Sequence, residues 1–274
     1  PITKRKSNTT SKWIFYLISF VLFLFVAIGI YKFRDGFLYY LGFKTDKNVE
    51  TLSKEERKLA DIRIYEVLHK HDEKAIGFDV SEYQSEIDWE QTYHIDESFE
   101  LSFVFIRATA GKNKVDSRFK ENWKASKERE LIRGAYHYYR PNENSIEQAE
   151  NFIKTVKLQK GDLPPVLDIE KLPKSQSIDS LKVGLRRWLK KVEKHYKVKP
   201  IIYSGESYYT DFLKKEFSEY PLWIANYNFW RNDLEDDWQF WQFTEKAQIQ
   251  GIEGMVDVNI FNGDKNKLLL KCIR

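Results

Sequence analysis

The chain has 274 residues, of which 42% are hydrophobic, 31% charged and 16% aromatic, and it contains a single cysteine. This composition differs from the apolar-poor profile of a disordered chain, and one thiol excludes both an internal disulfide framework and a multi-cysteine zinc site. The formal charge of +4 is uneven, since residues 1–44 carry net +6 and residues 45–274 carry 38 basic against 40 acidic side chains, net −2. A nucleic-acid partner is therefore not expected for the larger part of the protein.

The first predicted element is an apolar segment at residues 13–31 that contains no charged side chain. As a helix it would be about 28 Å long, which is close to the hydrocarbon thickness of a bilayer. Four basic side chains precede the segment and two follow it. This bias predicts that residues 1–12 are cytoplasmic and that the C-terminal part is exported. Small residues at 27–29 leave a cleaved signal peptide as the alternative, but the length of the apolar run favours an uncleaved anchor.

Residues 32–74 are interpreted as a juxtamembrane linker. Within this range, the polar composition of residues 46–74 and the loosely helical spacing of their apolar residues predict a juxtamembrane helix or a spacer. The pair His69 and His71 has no further ligand cluster beside it, so a solvated pair is favoured over a metal site.

Eight short runs that are apolar or alternate between apolar and polar residues follow the linker and predict strands. They lie at residues 75–80, 103–109, 132–139, 164–170, 200–205, 221–226, 238–244 and 256–262. Helical patterns follow the second to fifth of these strands, at residues 116–130, 143–158, 177–196 and 206–217, and a poorer fifth pattern covers residues 86–99. The last two connections are short, which predicts that they lack helices and join antiparallel strands. The predicted fold is of the α/β class, an irregular TIM-like β/α barrel of about eight strands and five helices after one transmembrane helix.

Acidic side chains alternate with apolar ones in three of these strands. With a period of two, Asp168 and Glu170 face the barrel axis together, and the same parity turns Asp79 and Asp257 inward, near the C-terminal ends of their strands. Burying unpaired carboxylates costs several kcal/mol each. An ion pair with Arg107 would explain one of these acids but not all four, so a functional site is indicated.

Clustered carboxylates suit the hydrolysis of a glycosidic bond. Their mutual repulsion keeps at least one carboxyl protonated near neutral pH, and such a reaction needs an acid for the leaving oxygen and a second carboxylate at the reacting centre. Aromatic side chains, which offer flat faces to sugar rings, lie in or just after the same strand ends. They are Tyr136, Tyr138, Tyr203, Trp223, Tyr227 and Trp241.

Eight short motifs carry a family resemblance. They are GFDVSEYQ (77–84), FVFIRATAG (103–111), GAYHYYRP (134–141), PPVLDIE (164–170), IIYS (201–204), LWIANY (222–227), WQF (241–243) and VDVN (256–259). In this order and spacing they resemble the glycoside hydrolase family 25 muramidases over about residues 75–265. The resemblance implies an irregular barrel with fewer helices than strands. It also implies cleavage of the β-1,4 bond between N-acetylmuramic acid and N-acetylglucosamine in peptidoglycan.

The same resemblance implies roles for individual residues. Glu170 would be the general acid, Asp168 would orient or polarise the substrate N-acetyl group or the reacting centre, and Asp79 and Asp257 would support them. The expected substrate-binding residues are Tyr138, Tyr203, Trp223, Tyr227, Arg107 and Asn259. No metal or other cofactor is expected, since the chain lacks the HExxH, P-loop and GxGxxG motifs.

One motif departs from the family. Its second strand usually ends Lys-Ala-Thr-Glu-Gly, whereas residues 107–111 read Arg-Ala-Thr-Ala-Gly. We expect Ala110 to alter charge balance or substrate preference rather than to abolish activity. Arg107 keeps the positive charge of the usual lysine, and its planar fork is expected to pair with Asp79 or Asp168.

The leading hypothesis is a monomeric, single-pass peptidoglycan muramidase of the bacterial cell membrane, with residues 75–274 as a catalytic barrel on the wall or periplasmic side. If the anchor is cleaved, the enzyme is secreted. Its expected partners are peptidoglycan glycan strands and, through the N-terminal helix, the membrane. Two alternatives stay open, namely a wall-glycan-binding pseudoenzyme, motivated by Ala110, and a glycosidase acting on another exported glycan.

Overall fold

The computed structural model describes residues 9–32 and 52–274. The predictions made for residues 1–8 and 33–51 lie outside the described residues. Helix α1 (Thr9–Lys32) contains the apolar segment, and its residues Trp13–Lys32 have a mean hydropathy of 2.6 and are not buried against other parts of the protein. Within the described ranges this is the one helix long and apolar enough to cross a membrane, a property that anchors and signal sequences share.

Ten strands follow in the described part of the chain. They are β1 (Ile76–Val80), β2 (His94–Ile95), β3 (Phe99–Ala110), β4 (Lys114–Val115), β5 (Ile132–Tyr138), β6 (Val166–Asp168), β7 (Ile201–Gly205), β8 (Leu222–Ala225), β9 (Phe240–Ala247) and β10 (Val256–Phe261). All except β2 and β4 form a closed barrel in the order β1-β10-β9-β8-β7-β6-β5-β3, which β1 closes by pairing with β3. The predicted eight-stranded barrel is therefore confirmed.

Strand direction changes only around β10. This strand is antiparallel to β9 and to β1, whereas the other barrel pairs are parallel. The predicted antiparallel connection is thus confirmed between β9 and β10 and wrong between β8 and β9. The β8–β9 loop (residues 226–239) contains no helix or strand, yet its 14 residues return the chain to the start of a parallel strand.

The described helices after α1 lie mainly between the strands. They are α2 (Lys54–Lys70), α3 (Phe119–Glu128), α4 (Ser145–Thr155), α5 (Ile178–Tyr196), α6 (Glu206–Tyr208, continued by a π-helical turn at Tyr209–Leu213 and by Lys214–Phe217) and α7 (Lys265–Leu269). The four predicted crossover helices correspond to α3 to α6.

The poorer helix predicted over residues 86–99 is wrong, since this region forms a 3-10 turn and β2. Asp96 and Glu97 adopt left-handed φ values of 50° and 55°, which turn the chain from β2 back into β3.

Helix α5 shows how the sequence specifies such an element. The Ser177 hydroxyl caps its first turn by accepting a hydrogen bond from the Ser180 amide. One face then repeats apolar residues at intervals of three and four, which are buried against the barrel. They are Leu181, Leu185, Trp188, Leu189 and Val192.

Two hydrophobic clusters follow from the alternation along the strands. The outer cluster lies between barrel and helices and includes Phe78 of β1, whereas the inner cluster fills the barrel with aromatic rings. The ring of Phe105 stacks on that of Trp223 at 4.3 Å between centroids and meets that of Phe240 at 5.1 Å. A Cβ on Gly77 would lie 2.5 Å from the Phe103 ring, so only glycine fits there. These rings close one end of the barrel interior and leave a polar cavity at the other.

Helix α2 packs on the outside of the barrel. Its residues Ile64, Val67 and Leu68 belong to the outer cluster. The Nε2 atom of His71, just after the helix, lies 2.9 Å from the carbonyl oxygen of Asn232 in the β8–β9 loop, while the ring of His69 stacks on that of Tyr65. The range predicted to be a linker thus contains a packed helix at Lys54–Lys70.

Candidate active site

The four predicted acids lie together at one end of the barrel and line a single cavity of about 190 Å³. Asp79 is the fourth residue of β1, Asp168 ends β6 and Glu170 follows two residues later. Asp257 is the second residue of β10, so the expectation that it lies near the C-terminal end of its strand is wrong. Because β10 runs antiparallel, its beginning lies where the parallel strands end, directly opposite Asp79.

The cavity brings together most of the expected substrate-binding residues. Besides the acids, its lining consists of Val80, Ser81, Tyr83, Gln84, Arg107, Tyr136, Tyr138, Tyr203, Trp223 and Gln242. Tyr227 lies in an adjoining groove of about 480 Å³, which it shares with Glu170 and Tyr203. Trp241 points instead into the outer cluster, where its indole nitrogen donates to the Asn226 carbonyl at 2.9 Å. It therefore does not line the cavity.

Asp79 is held by two amide groups. Its Oδ2 atom accepts hydrogen bonds from Gln242 Nε2 at 2.7 Å and from Asn259 Nδ2 at 2.8 Å. Asn259 in turn accepts from the indole nitrogen of Trp223 at 2.8 Å, and Gln242 Oε1 accepts from the Tyr203 hydroxyl at 2.7 Å. Asn259 is fully buried, so it supports Asp79 from below the cavity.

Burial and mutual repulsion shift the pKa values of three of the acids. Burial raises the pKa of Asp79 to about 7, although its hydrogen bonds from Asn259 and Gln242 act in the opposite direction. Burial, followed by the nearby Glu170, raises the pKa of Asp168 well above its usual range, and burial together with Asp79 does the same for Asp257. Ionisation of the whole cluster at neutral pH is therefore disfavoured.

Asp168 and Glu170 differ in their exposure. Asp168 is buried, and its Oδ1 atom has no hydrogen-bond partner within the described residues. Glu170 is exposed because the chain leaves the barrel there. An unpartnered buried oxygen is able to accept a hydrogen bond from a ligand, and an exposed carboxyl at the cavity mouth is accessible to a ligand that enters from solvent.

Arg107 does not pair with Asp79 or Asp168, so that expectation is wrong. Its Nε atom lies 2.8 Å from Asp116 Oδ2 and its Nη2 atom 3.0 Å from Glu82 Oε1. The hairpin of β3 and β4 carries Asp116 back beside Arg107, and Asp116 also accepts from the Glu82 amide at 2.9 Å. Burial opposes the shift, but hydrogen bonds from Lys114 and Ser117 and the charge of Arg107 lower the pKa of Glu82 to about 2.

Among the cavity residues that sequence reasoning missed, Gln242 and Tyr83 matter most for the chemistry, and both lie in quoted motifs. Gln242 alternates with the outward-facing Trp241, so its inward direction was readable from the period of the strand. Tyr83 is 79% exposed at the cavity rim, and the guanidinium of Arg107 lies 4.5 Å from its ring centroid. Its direction depends on that tertiary contact, which the sequence did not indicate.

A closed barrel whose cavity combines four carboxyls with a rim and floor of aromatic rings is typical of glycoside hydrolases. The model of the glycosyl hydrolases family 25 matches residues 78–252, and the chain belongs to this family. The predicted resemblance is therefore confirmed, as is the prediction that the protein is a glycoside hydrolase. The matched residues begin after α2.

Similar proteins agree with this assignment. The uncharacterized protein YegX of Escherichia coli K12 is 44% identical over 194 residues, covering 70% of this chain and 71% of that protein. Lysozyme M1 of Streptomyces globisporus is 32% identical over 208 residues, covering 70% and 69%. The crystal structure of a lysozyme from Streptomyces coelicolor matches with a TM-score of 0.65 at 28% identity, covering 73% of this chain and 97% of that one. A family 25 glycosyl hydrolase from Bacillus anthracis matches with a TM-score of 0.64 at 29% identity, covering 72% and 93%.

Proposed function

We propose that the protein hydrolyses the β-1,4 bond between N-acetylmuramic acid and N-acetylglucosamine in peptidoglycan, with Glu170 as the general acid. The observation that carries this proposal is the position of Glu170, exposed at the mouth of the cavity that also contains Asp79, Asp168 and Asp257. Relatives of the chain are named lysozymes, which supports peptidoglycan as the substrate.

Each carboxyl then has a separate task. Glu170 protonates the glycosidic oxygen as the bond to the anomeric carbon breaks. A water molecule then adds to that carbon and gives a proton to a carboxylate of the cluster, which completes the hydrolysis and restores the acid. Asp168 accepts a hydrogen bond from the substrate N-acetyl N–H through its unpartnered Oδ1 atom and so orients that group at the reacting centre. Asp79, which is partly ionised near neutral pH, supplies negative potential beneath the oxocarbenium-like centre, while Asp257 opposite it keeps its proton.

Aromatic and polar side chains complete the proposed substrate groove. Tyr138, which is half-buried, and Tyr227, in the adjoining groove, are assigned to contacts with sugar rings. Tyr203 and Trp223 are more than nine-tenths buried and form the floor, while Arg107 holds the rim. Asn259 acts through Asp79 rather than on the sugar.

The location follows from α1. This helix anchors the chain once in the bacterial cell membrane, and the barrel, from about residue 75 onward, acts on the wall side. Cleavage after the apolar segment would instead release the enzyme, and both arrangements place the barrel outside the cytoplasm.

Digestion of purified peptidoglycan tests the proposal. The detergent-solubilised full chain should release muropeptides with muramic acid at the new reducing end, identified by mass spectrometry, and Glu170→Gln should lower the rate by a factor on the order of 10³. Glu128→Gln, an exposed carboxylate on α3, is the matched control and should retain full activity. Equal rates for wild type and Glu170→Gln would remove Glu170 from its role. Binding of peptidoglycan by wild type without any release would indicate a glycan-binding protein instead.

A further inference from the structure

Helix α2 contacts the β8–β9 loop through a fully buried arginine. Arg63 Nη1 donates to Asn232 Oδ1 at 3.0 Å, and Arg63 Nη2 donates to the carbonyl oxygen of Asn228 at 3.2 Å and to that of Arg231. The guanidinium carbon also lies 5.7 Å from the ring centroid of Trp241. One side chain of α2 therefore binds three residues of a loop more than 160 positions away in the sequence.

The loop has no helix or strand of its own, and Asn228 and Asn232 are exposed. A guanidinium offers five donors in a fixed plane, so one side chain can bind several oxygen atoms of the loop at once. Two neighbours reinforce the contact, since Lys70 forms an ion pair of 2.8 Å with Asp233 and His71 Nε2 lies 2.9 Å from the Asn232 carbonyl. Arg63 in the middle of α2, Lys70 at its end and His71 just after it thus contact residues 228–233.

The first residues of the same loop form a wall of the candidate active site. Asn226, Tyr227 and Asn228 line the groove that adjoins the cavity and shares Glu170 with it. The Tyr227 hydroxyl donates to Gln242 Oε1, whose own amide nitrogen donates to Asp79. A short path therefore leads from Arg63 through the loop to a carboxyl of the site.

We propose that α2 contributes to the activity of the hydrolase through Arg63. This arginine is a positioning residue that holds the β8–β9 loop in the conformation in which it forms the groove wall. A shift of residues 228–232 would displace Tyr227 and with it the substrate surface beside Glu170. The expected effect on substrate turnover rests on the proposed function. The expected effect of Arg63 on the order of the loop does not depend on it. Since α2 precedes the family-matched residues, this support is an addition to the barrel.

Arg63→Met and Arg63→Lys in the detergent-solubilised full chain test the proposal. Hydrogen exchange measured by mass spectrometry should accelerate about tenfold in peptides covering residues 226–233 of Arg63→Met. The KM for soluble peptidoglycan fragments should rise about fivefold with a smaller change in kcat, because the groove wall binds substrate away from the reacting bond. Arg63→Lys retains the positive charge but not the planar guanidinium, so its loop exchange rate and its KM should lie between those of wild type and Arg63→Met.

Two controls on the same helix separate positioning from stability. Val67→Ala removes buried methyl groups from the outer cluster and should lower the melting temperature without accelerating exchange in the loop or changing KM. Arg57→Met removes a 2.9 Å hydrogen bond to the Lys246 carbonyl, which lies outside the loop. This variant should leave the exchange rate of the loop and the KM unchanged. If Arg63→Met does not fold, Asn232→Ala removes one contact from the loop side and should accelerate its exchange.

Unchanged exchange in the loop of Arg63→Met would overturn the proposal, and so would equal acceleration in Val67→Ala. Accelerated exchange with unchanged KM and kcat would overturn the link to catalysis. If wild type releases no muropeptide, the hydrolase proposal fails. The exchange comparison then still tests whether Arg63 orders the loop.

Discussion

The Gln242 side chain donates a 2.7 Å hydrogen bond to Asp79 Oδ2. A donor to a carboxylate stabilises its ionised form, so this bond, like that from Asn259, lowers a pKa that burial raises to about 7. The two amides thus increase the fraction of Asp79 that is ionised near neutral pH.

Gln242→Met keeps the size of the side chain and removes the donor. The pKa of Asp79 should rise, so if ionised Asp79 is needed for hydrolysis, the acid limb of the pH profile of kcat/KM should move up by roughly one pH unit. Gln248→Met, an exposed change in the following loop, should leave the profile unchanged. An acid limb at the same pH in both variants would contradict this role of Gln242.

Asp79→Asn should stabilise the fold at high pH. The folded carboxyl binds a proton up to about pH 7, whereas its usual pKa of 3.8 applies after unfolding. Between these values the folded state holds the extra proton, so its stability falls as the pH rises. At pH 8 the variant should gain on the order of 2 kcal/mol in the free energy of unfolding, and at pH 4 almost nothing.

Urea unfolding at the two pH values measures this gain. Asp168 and Asp257 are present in both proteins, but Asp79 contributes to their raised pKa values, so the difference reports the ionisation of Asp79 together with its coupling to these two carboxyls. An equal change at pH 4 and pH 8 would show that the effect is not due to ionisation.

Arg107→Met should destabilise the rim of the cavity. It leaves the fully buried Asp116 side chain and Glu82 without their guanidinium partner, which should cost about 3 kcal/mol in the free energy of unfolding. The lysine of Arg107→Lys reaches one carboxylate but not both, so the free energy of unfolding of this variant should lie between those of wild type and Arg107→Met. The double variant Arg107→Met with Asp116→Asn should recover part of the loss, and urea unfolding midpoints that show no recovery would contradict a direct pair.

Tyr83→Ala should weaken substrate binding with little effect on stability. The ring is exposed at the cavity rim, where it offers a flat apolar face, so KM should rise about tenfold and Tyr83→Phe should behave like wild type. Tyr93→Ala is a matched control, because Tyr93 is also exposed and stacked on an arginine, Arg129, outside the site. Similar KM values for Tyr83→Ala and Tyr93→Ala would exclude Tyr83 from the groove.

Helix α1 should keep the protein in the membrane fraction after a high-pH carbonate wash. Deletion of residues 1–32 removes the apolar segment and should release a soluble protein. N-terminal sequencing of the membrane-bound form distinguishes an anchor from a processed signal. A mature N-terminus just after the apolar segment, with the protein in the soluble fraction, would favour cleavage.

Side-chain alternation made the positions of the acids predictable. Asp79 and Asp168 face the cavity as the strand period requires, while their neighbours Phe78 and Leu167 join the outer cluster. The helix expected over residues 86–99 failed because Asp96 and Glu97 adopt left-handed φ values and form a turn. Its apolar residues pack against the barrel without needing a helical period.

The sequence by itself determined the apolar segment, the strands of the barrel and the inward direction of its acids, because these depend on spacing along a short stretch of chain. Only the tertiary structure decided that Arg107 pairs with Asp116 and Glu82 rather than with the cluster. It also decided that β9 runs parallel to β8, so that β10 alone is reversed and Asp257 lies opposite Asp79, and that Arg63 contacts a loop 165 residues away. Such contacts depend on which distant segments meet when the barrel closes, and no local pattern encodes that choice.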